Sequence, residues 1–200
     1  MMGHVRGLRL LAGAAVALSL GAGGGANGGR PKTASSTPGK AYSRDPYPST
    51  YHRYPGVPTL VRNVTVFDGE GGRIDNGSVL FADGKIVAIG QTLDAPAGAS
   101  VVDGQGKWIT PGVIDIHSHL GDYPSPGIRA LSDGNEATAP VTADVWAEHS
   151  VWPQDPGFGR ALANGGVTAL QILPGSANLF GGRSVVLKNV YARTTQAMKF

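Results

Sequence analysis

From residue 59 onward the apolar positions fall in brief runs cut by turn residues, and few of them keep a helical period. Residues 59 to 67, TLVRNVTVF, read as a strand closed by the turn-rich Asp68-Gly69-Glu70-Gly71-Gly72. Residues 78 to 82 and 85 to 90 are two further apolar runs, and the Asp83-Gly84 between them predicts a hairpin. Residues 101 to 103 and 107 to 109 flank Gly104-Gln105-Gly106, and short strands so closely spaced argue a small antiparallel β unit. Residues 158 to 164 predict a helix stopped at Gly165-Gly166, followed by a buried strand at 167 to 173 and a short one at 184 to 188. Between 141 and 152, Val145, Glu148, His149 and Trp152 have the spacing of a short helix. Residues 27 to 58 keep no period and read as a linker or surface arm whose tyrosines pack on the domain.

The run from Val113 to His119 differs from the others. Its β-branched residues predict a short buried strand, opened by the turn pair Pro111-Gly112. Alternation puts Asp115, His117 and His119 on one side and Ile114 and Ile116 on the other. That division suits a parallel barrel strand whose outer side packs on helices and whose carboxyl end faces an active site. Two imidazoles at spacing two can both reach one metal ion, and imidazole nitrogen suits zinc. Taken alone, such a pair reads rather as two histidines at a strand end, solvated or bonded to backbone.

Composition narrows the picture. The 200 residues contain no cysteine, so disulfides and lipoprotein attachment are excluded. Arg6 and Arg9 precede an apolar run from Leu10 to Leu20 and then small residues to Gly29, the layout of a secretory signal peptide. Residues 1 to 26 are expected to be that peptide, giving an exported chain, periplasmic or secreted, with no stable membrane span after its removal. An uncleaved anchor ranks second. The formal net charge of +3 arises in the leader and arm, because residues 59 to 200 carry ten basic and thirteen acidic side chains. A nucleic-acid partner is therefore not expected.

With its preceding residues, the histidine strand resembles a known family. Asp103-Gly104-Gln105-Gly106-Lys107-Trp108-Ile109-Thr110-Pro111-Gly112, leading into Val-Ile-Asp-Ile-His-Ser-His-Leu, is similar to the first barrel strand of the amidohydrolase superfamily, imidazolonepropionase-like members in particular. The helix end and strand Asn164-Gly165-Gly166-Val167-Thr168 is similar to that family's second barrel strand. Asp133-Gly134-Asn135-Glu136 and Pro153-Gln154-Asp155 resemble loop motifs of the same family, without roles that can be carried over.

The resemblance implies an α/β fold: a small β-sandwich part at 59 to 110, then the start of a (β/α)8 TIM-type barrel at 111 to 200. A full barrel of this kind needs about 250 residues, so the chain is expected to be an incomplete, amino-terminal portion. The implied function is hydrolysis of a non-peptide or dipeptide-type C–N bond in a small-molecule substrate by metal-activated water. The implied cofactor is a divalent metal, zinc first, as one or two ions held by His117 and His119. Asp115 is a candidate to orient an imidazole from behind. A lysine or glutamate, two later histidines and an aspartate complete the family's site, and none has a counterpart here. Lys188 and Lys199 come too early, so those groups are expected to lie beyond Phe200. The catalytic residues are thus left open, and a homo-oligomer is compatible with the sequence. The 200 residues alone are expected to be inactive, and the competing reading is an incompetent fragment or an envelope-binding β module.

Overall fold

The structure is a computed structural model that describes residues 45 to 200. The expected signal peptide and the first part of the arm lie outside the described residues. Two sheets are built in succession. The first has five strands in the order β3-β2-β1-β4, with β5 also on β1. These are β1 (Thr59–Phe67), β2 (Arg73–Ala82), β3 (Lys85–Gly90), β4 (Ser100–Asp103) and β5 (Trp108–Ile109). The expected hairpin is β2–β3, and Asp83 and Gly84 at its tip both have positive φ, as a type I′ turn requires. Val64, Val66 and Val79 form the buried centre of this sheet. β4 and β5 pair with β1 in parallel, not antiparallel, so the predicted all-antiparallel unit is corrected. Val101 and Val102 reveal a strand but not its direction, which the long return through residues 91 to 99 sets. The described residues hold this sheet as one layer, and a second sandwich layer does not appear among them.

The second sheet runs β6-β7-β8, with β6 at Val113–Ser118, β7 at Val167–Ile172 and β8 at Val185–Lys188. β6 and β7 are parallel, joined through the helix α1 (Pro156–Gly165), which makes one crossover unit of the barrel type. β8 returns antiparallel to β7, so the parallel repeat stops after two strands. Asp155 caps α1 by accepting from Gly157 N–H, Pro156 occupies the first turn, and Gly166 ends the helix in the left-handed region at φ 62°. The core lies against β7 and β8 and gathers Phe158, Leu170, Ile172, Leu187 and Met198. The helix expected within 141 to 152 is only a single 3-10 turn, Ala147–His149, because prolines at 140 and 153 bracket a segment bonded to the 180 to 183 loop instead.

β6 departs from expectation in one respect. Ile114 and Ile116 are 67% and 73% exposed, where the sequence predicts a buried strand. Among the described residues β6 has a neighbour on one side only and no helix covers its apolar side, so the strand is as expected and its burial is not.

Candidate metal centre

Two histidines stand at the carboxyl end of β6. The rings of His117 and His119 have centroids 5.4 Å apart and meet edge to face. Two imidazoles bound to one tetrahedral ion through nitrogens about 2.0–2.1 Å from it have ring centres roughly 5 Å apart. The observed spacing fits such a pair. His119 Nδ1 lies 2.8 Å from the Leu173 carbonyl oxygen. A carbonyl only accepts, so Nδ1 is the donor, and in the neutral ring Nε2 is left with its lone pair, the arrangement that metal-binding histidines use.

The strand register supplies that carbonyl. Leu173 N–H donates to Ser118 O, 3.0 Å away, which holds the end of β7 beside His119. The Asp115 carboxylate accepts from the backbone N–H of His117 at 3.1 Å, and the partner of the His119 ring is the backbone oxygen of Leu173. Among the described residues no group of three or more His, Cys, Asp or Glu side chains converges as a metal would require. The structure brings together the pair and nothing further.

The last residues, through Phe200, add no ligand to it. Phe200 N–H donates to Val186 O of β8 at 3.3 Å, and the Lys188 ammonium lies 4.0 Å over the Phe200 ring. Lys199 is engaged with Glu148 and Asp45.

The loop after β6 packs around the histidines. Asp122 is fully buried, accepts from Ser150 Oγ at 3.1 Å and leaves Oδ2 without a partner. Burial pushes its carboxyl up to about 7, against the Ser150 hydrogen bond and the nearby His119. Asp155, visible in the sequence only as part of a loop motif, is a hub. Besides capping α1, it accepts from Gly121 N–H at 3.0 Å and Ser125 N–H at 3.1 Å, fixing the chain just beyond the histidines. A capping Asp is readable before a proline; its second and third partners, thirty or more residues away, are not.

The other side is closed by two loops stitched to each other. Gly175 N–H donates to Gly134 O at 2.6 Å, and Asn178 Nδ2 donates to Glu136 O and Ala139 O at 2.6 and 2.7 Å. They frame a cleft of about 200 Å3 lined by Asp133, Asn135, Glu136, Trp146, His149 and Ser150, among others. Both loops follow the carboxyl ends of β6 and β7, where a barrel of this class keeps its site. His149 is in the cleft wall, with Tyr47 of the arm edge-on at 4.7 Å.

A parallel βαβ unit thus carries a histidine pair at the carboxyl end of its first strand. Known proteins share this stretch of sequence and fold. The amidohydrolase TasK of Hapsidospora irregularis is 34% identical over 155 residues, covering 69% of this chain and 16% of that protein. A dihydroorotase of Pelotomaculum thermopropionicum is 30% identical over 127 residues, covering 64% and 24% respectively. Among solved structures, an amidohydrolase from Thermotoga maritima superposes with a TM-score of 0.65 at 39% identity, over 71% of this chain and 36% of that one. No protein-family model matches the chain. The chain belongs to the amidohydrolase superfamily. It spans about a quarter or less of the length of these curated relatives.

Proposed function

We propose that this chain contributes the first two metal ligands of an amidohydrolase that cleaves a non-peptide or dipeptide-type C–N bond in a small molecule. His117 and His119 would hold a divalent ion, and their nitrogen donors suit zinc. Such an ion, held by these two residues, would supply Lewis acidity and an acidified water, whose pKa would fall from about 15.7 towards 7. The chain's own part is orientation. Leu173 O fixes the His119 tautomer, Ser118 O fixes Leu173, and Asp155 fixes the turn beyond. Asn135, His149 and Ser150 give the adjoining cleft polar groups with which to seat a substrate. Export is part of the same proposal and rests on Arg6, Arg9 and the apolar run after them.

The observation that carries this reading is the His119 Nδ1–Leu173 O bond beside a second imidazole. A second reading, an inert chain that holds metal weakly, is favoured by the lack of a third convergent ligand among the described residues. Zinc loading, exhaustive dialysis and metal quantification separate them. Stoichiometric zinc that is lost on the double substitution His117→Ala and His119→Ala supports the site. Zinc content untouched by that change contradicts it.

A further inference from the structure

The His119 ring touches more than the carbonyl. Tyr123 meets it edge to face, centroids 5.7 Å apart at 89°. One hydrogen bond at Nδ1 still lets the imidazole rock about that bond, whereas a ring set across it fixes the plane and so the direction of Nε2. Tyr123 is itself held from several sides. Its backbone N–H donates to His119 O at 3.2 Å, and its hydroxyl accepts from Asn135 Nδ2. Asn135 Oδ1 in turn accepts from Ala177 N–H at 3.2 Å, so both loops meet at this phenol.

Two glycines explain how the phenol fits. A Cβ on Gly134 would run into the Tyr123 ring, and one on Gly175 would overlap its hydroxyl and the Asn135 amide. Neither glycine has a positive φ, so space, not backbone conformation, is what the site asks of them. The loops carrying Gly134 and Gly175 thus leave a slot for the hydroxyl end of Tyr123, a residue otherwise 43% exposed whose ring meets His119.

We propose that Tyr123 is a positioning residue for His119, clamped by Gly134, Gly175 and Asn135 so that the imidazole presents Nε2 in one direction. This rests on the proposed metal-binding role of His119. Residues that hold a ligand from behind commonly change metal affinity by about 10- to 100-fold when removed. The test is competition titration of the whole chain with zinc alone, using a chromophoric chelator. Tyr123→Leu is expected to weaken zinc about tenfold, while Tyr123→Phe, which keeps the ring, stays within about threefold of the parent. Gly175→Ala, pushing on the phenol from the other loop, is expected to weaken zinc in the same direction as Tyr123→Leu. Should Tyr123→Leu fail to fold, Gly175→Ala decides the matter: a loss supports the clamp, and parental affinity overturns it. Tyr123→Leu that folds and binds zinc like the parent also overturns it, provided His119→Ala abolishes binding. Zinc binding that survives His119→Ala instead sinks the metal-site reading beneath it.

Discussion

The two edges of the β6-β7-β8 sheet are treated very differently by the chain. At β8 the edge is covered: Lys188 N–H donates to Met198 O at 2.7 Å, Leu187 bridges Lys199, and the arm is laid over the result. Thr50 N–H donates to Gln196 O, and Ser49 Oγ donates to Lys199 O at 2.8 Å. The buried Lys199 ammonium ties it down, donating to Asp45, to Tyr47 O and to the buried Glu148. At β6 the edge is bare, with Ile114 and Ile116 facing outward and the histidines at its tip. The buried cluster of this sheet therefore lies on β7 and β8, and the site residues sit on its more exposed strand. Equal apolar patterns do not mean equal burial: β6 and β7 read alike, yet Leu170 and Ile172 of β7 are both 0% exposed.

The contrast is tested most strongly in the core. Leu170→Ala should destabilise by about 3–5 kcal/mol, since a sealed site cannot collapse around the lost atoms. Denaturant unfolding measures it, and a loss near zero would mean that β7 is not the centre of the sheet. Lys199→Met comes next, at roughly 3 kcal/mol, because it leaves the Glu148 carboxylate buried without its cation.

Lys199 also gives a pH signature. Burial pulls its ammonium down, but hydrogen bonds and charge from Glu148 and Asp45 outweigh that and hold it above the ordinary value of 10.5. A raised folded value means the contribution is complete below 10.5 and fades as pH climbs through the shifted value. Thermal melts on the alkaline side should show this decline in the parent and not in Lys199→Met. Equal slopes would show that the Lys199 pairs add nothing to the covered edge. The smallest effect belongs to the bare edge. Ile116→Lys should alter stability by no more than about 0.5 kcal/mol, as an exposed site does, and a large loss would show that edge to be covered.

Much of this was legible in the amino acids and some of it was not. Asp83-Gly84 marked the hairpin because only residues at ease with positive φ close so tight a turn. Asp155-Pro156 and Gly166 bounded α1 through local capping, which needs no tertiary knowledge. The histidine pair showed itself by spacing and by the residues leading into it. What stayed hidden depends on neighbours far along the chain. The open edge of β6 follows from which strands pair, the proton on His119 from a carbonyl 54 residues away, and the Tyr123 slot from two glycines in separate loops. Asp115 shows the same limit, since alternation cannot disclose the adjacent backbone N–H that its carboxylate accepts from.

Whether His117 and His119 act as one ligand pair is decided by long-range proton–nitrogen NMR of the histidine rings during zinc titration. His119 should carry its proton on Nδ1 before any metal is added, and the Nε2 signals of both rings should move together, complete at one equivalent. A proton on Nε2 of His119, or a His117 signal that ignores zinc while His119 responds, would contradict the pairing.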